Sequence, residues 1–166
     1  AMRKTAFGGR RLGEAYETLA AMIEDPECKV VLTLSGAMTI AKMGKIISTM
    51  IDRGMVQAIV STGALVAHGL SESVGKLHYR HEPSHTDEEL FQKGYNRVYD
   101  TLEMESNLNY VEHVVSQTMK RINVGEPLSS NFLTRELGKT LAEEFEGPGI
   151  LKSAYLKNVP VYIPAF

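Results

Sequence analysis

Two short loops of small residues carry the clearest chemical signal in the sequence. They are Ser35–Thr39 and Thr62–Ala64, and each contains a glycine. Small residues let a ligand approach the backbone, and free N–H groups at the start of a helix attract phosphate. Neither loop has the G-x-G-x-x-G or P-loop pattern, so tight turns without a ligand are an equally good interpretation of the spacing alone.

Each loop follows a short apolar run that predicts a β-strand. Val30–Leu34 is rich in β-branched residues, which predicts a strand buried on both faces, and Ala58–Val60 predicts a second strand. Apolar residues at helical spacing predict a helix from about Ile40 to Arg53, starting near Thr39. This βαβ unit predicts adjacent parallel strands, so both loops should lie side by side where ligands bind in open α/β sheets.

The remainder alternates helical stripes with loops and short strands. A polar segment over 77–87 predicts a surface loop, and Thr86 with Glu89 has the form of a capping box that starts a helix at Asp87. Further helices are predicted near 12–23, 108–122 and 133–145, and brief strands at 97–100 and 159–163. No pattern marks a second domain, so a single domain over 1–166 is expected.

The histidines offer one further candidate and one weaker alternative. His68 closely follows the second loop, on the ligand side of the predicted sheet. His78, His81 and His85 have spacings that could suggest a metal site, but Pro83 would break a helix carrying them. Solvated loop histidines are therefore the favoured interpretation, and no metal site is predicted.

Composition excludes several classes of function. The chain has 166 residues and a net charge of -2, so it lacks the basic field of a nucleic-acid binder. No apolar run reaches the ~18 residues needed to span a bilayer, so no membrane partner is expected. Cys28 is the single cysteine, which rules out an internal disulfide and favours a reducing, cytoplasmic location. Ala1 before Met2 has the form of a cloning scar.

Several motifs in order resemble the deoxyhypusine synthase family, in its bacterial or archaeal deoxyhypusine-synthase-like branch. The resemblance covers nearly the whole chain and is to the N-terminal half of the family. The matching segments are Phe7–Ala15, Ser35–Met38, Met55–His68, Gly94–Asp100 and Val159–Phe166.

The resemblance implies an α/β fold with a doubly wound, mostly parallel sheet, helices on both faces and an NAD site, here incomplete. It also implies a homotetramer with active sites between subunits. In the family, NAD oxidises spermidine, and the aminobutyl group passes through an imine on an enzyme lysine to an acceptor amine. That acceptor is a lysine of a translation initiation factor or, in homospermidine-forming relatives, a small polyamine.

The family's cofactor-contact segments match both small-residue loops. The residues implied to bind NAD are Ser35, Gly36, Ala37, Met38, Thr39, Thr62, Gly63 and Ala64. His68 falls where eukaryotic members carry a polyamine-binding carboxylate. A neutral imidazole can still accept one hydrogen bond from an ammonium group, so His68 is expected to bind substrate.

The resemblance also identifies what this chain does not match. The family's imine-forming lysine lies in the half that has no counterpart here, so no catalytic residue is assigned and the chain alone is expected to lack transferase activity. Three functions stay open: a deoxyhypusine-synthase-like aminobutyltransferase, a homospermidine-type synthase, and a short non-catalytic paralogue that binds a full-length subunit.

Overall fold

A computed structural model describes residues 1–122, 125 and 128–164. The helices are α1 (Phe7–Glu24), α2 (Gly44–Asp52), α3 (Ala64–Ala67), α4 (Gly69–Ser73), α5 (Asp87–Gln92), α6 (Glu105–Arg121), α7 (Ser130–Glu144) and α8 (Ile150–Lys157). The strands are β1 (Val31–Leu34), β2 (Ala58–Ser61), β3 (His78–Arg80), β4 (Tyr95–Val98), β5 (Thr101–Met104) and β6 (Val161–Tyr162). Short 3₁₀ turns cover Met2–Lys4 and Gly36–Met38.

The first sheet is parallel and has the strand order β1-β2-β6. Val31 pairs with Ala58 at one end of β1, and Ile59 of β2 pairs with Val161 of β6. Helix α2 connects β1 to β2 along the chain. The predicted βαβ unit and the α/β fold with a parallel sheet are therefore confirmed.

Two details of this unit differ from the prediction. β1 is an edge strand, and Val31 is 54% exposed, so burial of β1 on both faces is wrong for this chain. Helix α2 begins at Gly44, later than the predicted start, because Gly36–Met38 forms a 3₁₀ turn and Lys42 adopts a left-handed φ of 64°. A left-handed residue cannot continue a right-handed helix.

The hydrophobic core joins the parallel sheet to helices α2, α6, α7 and α8. Ile51, Ile59, Leu137 and Leu141 are all fully buried within one cluster. A hydrogen bond links α7 to β6: Oγ1 of Thr134 donates to the Val161 carbonyl over 2.8 Å. The predicted last strand is confirmed as β6, whereas α8 was not predicted. The final residues of the C-terminal motif, 165 and 166, lie outside the described residues.

A second sheet is antiparallel and has the strand order β3-β5-β4. The polar segment predicted as a surface loop contains β3, so that prediction is wrong for its first residues. Strand β4 matches the brief strand predicted nearby, while β5 was not predicted. The capping box is confirmed: Thr86 Oγ1 accepts from the Glu89 N–H over 3.2 Å, and the Glu89 carboxylate accepts from the Thr86 N–H.

Helix α1 is confirmed as a helix but contributes little to the core. Leu12 is 57% exposed and Tyr16 is 72% exposed, so the apolar stripe read from the sequence faces outward. Among the described residues, no helix has both the length and the apolar character needed to cross a membrane.

Candidate functional site

The two small-residue loops are in direct contact at the carboxyl ends of β1 and β2. The Gly36 N–H donates to Thr62 Oγ1 over 3.1 Å. A Cβ on Gly36 would lie 2.3 Å from the backbone nitrogen of Leu65, so a larger side chain does not fit without a backbone shift. The predicted neighbourhood of the loops is confirmed, and it depends on the absence of a side chain at Gly36.

The first loop divides into exposed and buried residues. Ser35, Ala37 and Met38 are exposed, whereas Gly36 and Thr39 are buried. The Thr39 hydroxyl donates to the Gly36 carbonyl over 2.7 Å. The two buried residues therefore hold the loop in shape, and the three exposed residues are the ones accessible to a ligand.

The 3₁₀ turn in the first loop also uses two of the loop's own backbone N–H donors. The Met38 N–H donates to the Ser35 carbonyl over 3.0 Å. The Thr39 N–H donates to the Gly36 carbonyl over 3.1 Å. Since α2 starts only at Gly44, the expectation that a helix beginning near Thr39 offers free N–H groups to phosphate is wrong.

The second loop is more open. The N–H groups of Thr62, Gly63 and Ala64 donate to no acceptor among the described residues. A Cβ on Gly63 would meet no atom within 4 Å. Three successive donors beside free space can bind an oxygen of a ligand, so this loop is the accessible wall of the site.

His68 lies next to these loops, directly after α3. A Cβ on the following residue, Gly69, would lie 3.1 Å from Cγ2 of Thr39, which places the start of α4 against the first loop. Nδ1 of His68 is 2.6 Å from Oε2 of Glu103, on β5 of the antiparallel sheet. The side chain of His68 is 27% exposed and that of Glu103 only 1%.

Glu103 is the centre of a buried polar group that we call the Glu103 cluster: His68, Ser71, His78 and Glu103. The Ser71 hydroxyl donates to Oε1 of Glu103 over 2.6 Å. Nε2 of His78 is 3.1 Å from the same oxygen. Four elements supply the cluster: the end of α3, α4, β3 and β5. One carboxylate thus joins the parallel and antiparallel parts of the molecule.

The environment of Glu103 shifts two pKa values in opposite directions. Burial alone would raise the pKa of Glu103, but hydrogen bonds from His68, His78 and Ser71 outweigh it and lower the pKa to about 2. The hydrogen bond to Glu103 raises the pKa of His68 above its ordinary value, against the opposing effect of burial. The carboxylate is therefore ionised at neutral pH, and His68 is easier to protonate than a free imidazole.

A second ion pair extends the cluster toward the first loop. Lys42 forms a salt bridge with Oε1 of Glu72, and the same oxygen is 3.7 Å from Nδ1 of His78. That distance exceeds a hydrogen bond, and Nδ1 of His78 is buried without a partner among the described residues. His78 is thus held by Glu103 on one side and faces Glu72 on the other.

The interpretation of His78 as a solvated loop residue is wrong, because its side chain is fully buried. His85 is exposed and His81 is half-buried, with Nε2 of His81 3.3 Å from the His85 carbonyl. In the described ranges 1–122, 125 and 128–164, no group of three or more His, Cys, Asp or Glu residues has metal-binding geometry. Sequence reasoning missed Glu103; the run Thr101–Met104, with two apolar residues around it, was the available signal.

Comparison with known proteins now identifies the family. The family model described as deoxyhypusine synthase matches residues 1–166. The chain belongs to the deoxyhypusine synthase family. It is 36% identical over 167 residues to a probable deoxyhypusine synthase 2 from Methanosarcina acetivorans, with 99% of this chain and 48% of the relative covered.

Bacterial members of the deoxyhypusine synthase family match similarly. A deoxyhypusine synthase-like protein from Elusimicrobium minutum is 33% identical over 97% of this chain and 44% of its own length. The chain spans about half the length of the curated relatives it matches. A crystal structure from Entamoeba histolytica, provisionally described as a deoxyhypusine synthase, has a TM-score of 0.66, 13% identity, and coverage of 99% of this chain and 58% of that one. At that identity, the likeness supports the fold alone.

Proposed function

We propose that this chain forms the NAD- and amine-binding part of a deoxyhypusine-synthase-like aminobutyltransferase. The observation that carries the proposal is the contact between two small-residue loops, one supported by Gly36 and the other open at Gly63, in a chain of this family. Spermidine is the proposed donor, and the acceptor amine is a protein lysine or a small polyamine.

The second loop supports the cofactor assignment. The N–H groups of Thr62, Gly63 and Ala64 have no acceptor among the described residues, and the space beside Gly63 is free. Such donors fit the oxygen-rich phosphates and riboses of a dinucleotide. The exposed residues Ser35 and Met38 would form the other wall. When bound, NAD supplies a hydride acceptor; the role of these residues is to hold and orient it.

His68 supports the substrate assignment. The next residue, Gly69, lies against Thr39 of the first loop, and His68 is the member of the Glu103 cluster with substantial solvent exposure. In its neutral form, with Nδ1–H directed to Glu103, its Nε2 can accept a hydrogen bond from an ammonium group. We assign His68 to the amine side of the site.

The resemblance implies that the family's imine-forming lysine lies in the half that this chain does not match, so we propose that a lysine outside residues 1–166 carries the aminobutyl group. The family resemblance further leads us to propose a homotetramer with shared sites. Light scattering on the complete gene product measures this directly, and a monomer that carries out the reaction contradicts it.

Calorimetric titration of NAD and spermidine into the complete gene product tests the proposed function. Gly63→Val should weaken NAD binding by about tenfold or more, because the added methyl groups fill the space where the cofactor lies. Gly8→Val is the matched control, since a Cβ there also meets no atom within 4 Å but belongs to α1. Unchanged NAD affinity in Gly63→Val contradicts the cofactor assignment.

A second measurement separates the acceptors. Transfer of the aminobutyl group from spermidine is followed with a lysine-containing translation factor and with putrescine as alternative acceptors. Transfer to the protein lysine supports the deoxyhypusine-synthase-like reaction, and transfer to putrescine alone supports a homospermidine-type one. If the protein binds neither NAD nor spermidine, the proposal as a whole is contradicted.

A further inference from the structure

The proposed function names Glu103 only as the partner of His68 Nδ1, yet this buried carboxylate is the most heavily hydrogen-bonded side chain near the site. It accepts from three side chains on three other elements. We propose that Glu103 is a positioning residue that makes His68 an amine acceptor: it holds the Nδ1–H tautomer and supplies the negative charge that a cationic substrate requires. This inference rests on the proposed function.

The tautomer of His68 follows from its hydrogen bond to Glu103. An ionised carboxylate can only accept hydrogen bonds, so the short contact between His68 Nδ1 and Glu103 Oε2 requires a proton on Nδ1. In neutral His68 the lone pair is then on Nε2. No hydrogen bond to that nitrogen comes from the part of the chain that the structure describes. The ring therefore keeps one acceptor for a ligand.

The orientation of Glu103 is fixed by its other oxygen. Oε1 accepts from Ser71 over 2.6 Å and from His78 over 3.1 Å, while Oε2 accepts only from His68 among the described residues. Rotation of the carboxylate would break two buried hydrogen bonds, each of which is costly to leave unmade. Ser71 and His78 thus hold Glu103 in place, and Glu103 in turn holds His68.

Charge explains why an imidazole can serve at this position. A primary ammonium group is protonated at neutral pH, like a lysine side chain, and attracts an anion. Neutral His68 and ionised Glu103 together carry one negative charge, and the substrate meets this pair at the imidazole ring. The pair therefore offers the substrate the same charge as a direct carboxylate, with the anion buried behind the imidazole.

Other charged groups near the cluster balance one another. Glu72 and Lys42 form a salt bridge beside His78, which lies between that pair and Glu103. His78 itself donates from Nε2 and has no partner for Nδ1 among the described residues. The negative charge facing His68 therefore comes from Glu103.

This arrangement predicts the pH dependence of amine binding. Protonation of His68 removes the Nε2 lone pair and adds a positive charge, so spermidine affinity should fall as the pH decreases through the pKa of His68. Glu103 raises that pKa, so the loss should occur at a higher pH than for an ordinary histidine. Removing the charge of Glu103 should move the midpoint to lower pH while weakening binding above it.

The test combines nitrogen-15 NMR of the imidazole rings with calorimetry on the complete gene product. In the wild-type protein, His68 should be the Nδ1–H tautomer with a midpoint above about 6.5. Glu103→Gln should shift the midpoint down and raise the spermidine Kd about tenfold or more, with NAD affinity unchanged. Glu105→Gln is the matched control, because Glu105 is an exposed carboxylate two positions further along the chain.

The outcomes separate this inference from the proposed function. An Nε2–H tautomer, or a His68 midpoint that Glu103→Gln leaves unchanged, overturns the role of Glu103 even if NAD and spermidine bind. If the wild-type protein does not bind NAD, the proposed function is contradicted instead, whatever the tautomer and midpoint of His68. Should Glu103→Gln fail to fold, the wild-type tautomer and Ser71→Ala decide: Ser71→Ala should raise the pKa of Glu103 and keep the Nδ1–H tautomer.

Discussion

The two small-residue loops of the parallel sheet are brought together in a different way from the residues of the Glu103 cluster. The loops lie together because β1 and β2 are adjacent parallel strands, and their contact needs only small residues such as Gly36. The cluster lies together because β3 and β5 of the antiparallel sheet carry His78 and Glu103 to the end of α3. One contact is steric and uncharged; the other is electrostatic and buried.

This difference determines what each region tolerates. A steric contact fails when a residue becomes larger, and its failure displaces backbone. An electrostatic cluster fails when a charge or acceptor is removed, and its failure leaves buried donors unsatisfied. Substitutions that distinguish the two mechanisms therefore test the comparison.

Glu103→Ala should have the largest effect. It leaves the Ser71 hydroxyl and the His78 N–H buried without an acceptor, and each such group costs roughly 1–3 kcal/mol. We expect the free energy of unfolding to fall by about 3 kcal/mol or more, measured by urea denaturation. Glu105→Ala, on an exposed side chain, should change it by about 1 kcal/mol or less. Equal effects of both substitutions would show that the cluster adds no stability.

Gly36→Val should have the next largest effect, for a steric reason. Its Cβ would lie 2.6 Å from the carbonyl carbon of Ala64 and 2.3 Å from the nitrogen of Leu65, so backbone must move. Overpacking of this kind costs about 1–3 kcal/mol. Gly63→Val should cost far less, since its Cβ meets no atom within 4 Å. Similar melting temperatures for both variants would contradict the close contact between the loops.

The same comparison explains how much the sequence predicts. Gly36 and Thr62 are 26 positions apart but belong to one βαβ unit, which has only one common handedness, so the proximity of the two loops follows from periodicity and topology. His68 and Glu103 are 35 positions apart, and the pairing of β3 with β5 sets His78, not His68, opposite Glu103. Both strands are too short to show a clear alternation, and β3 lies in a segment whose polar composition resembles a loop.

The predictions that the structure corrects, for α2, β1 and His78, each fail for a local physical reason. The predicted start of α2 is too early because the apolar spacing begins at Ile40, whereas the left-handed backbone of Lys42, which the sequence does not mark, delays the helix to Gly44. The burial of β1 was overestimated because periodicity reports apolar character and does not tell how many strands lie beyond an edge. His78 was assigned to solvent because burial of a histidine depends on a partner that is distant in sequence.

The charged region should also respond to pH in a way that the loops do not. The pKa of Glu103 is lowered to about 2, so its stabilisation is complete above the ordinary pKa and is lost as the pH falls toward 2. The pKa of His68 is raised, so its contribution is complete below about 6.5 and is lost as the pH rises through the higher value. The stability difference between wild type and Glu103→Gln should therefore be largest between about pH 4.5 and 6.5. Urea denaturation across pH 2 to 9 measures it, and a difference independent of pH contradicts the ion pair.

Thr86→Ala should have the smallest effect and show how far the cluster depends on the rest of the antiparallel region. Thr86 and Glu89 form the capping box of α5, which packs against β4 at the outer side of that sheet. Loss of the cap should lower the free energy of unfolding by about 1 kcal/mol. The nitrogen-15 titration of His68 should not change, because His68, Ser71, His78 and Glu103 come from other elements. Ser84→Ala is the matched control, an exposed hydroxyl in the preceding turn. If Thr86→Ala also moves the midpoint of His68, the outer strand and the cluster act as one unit, and the boundary between the two regions lies elsewhere.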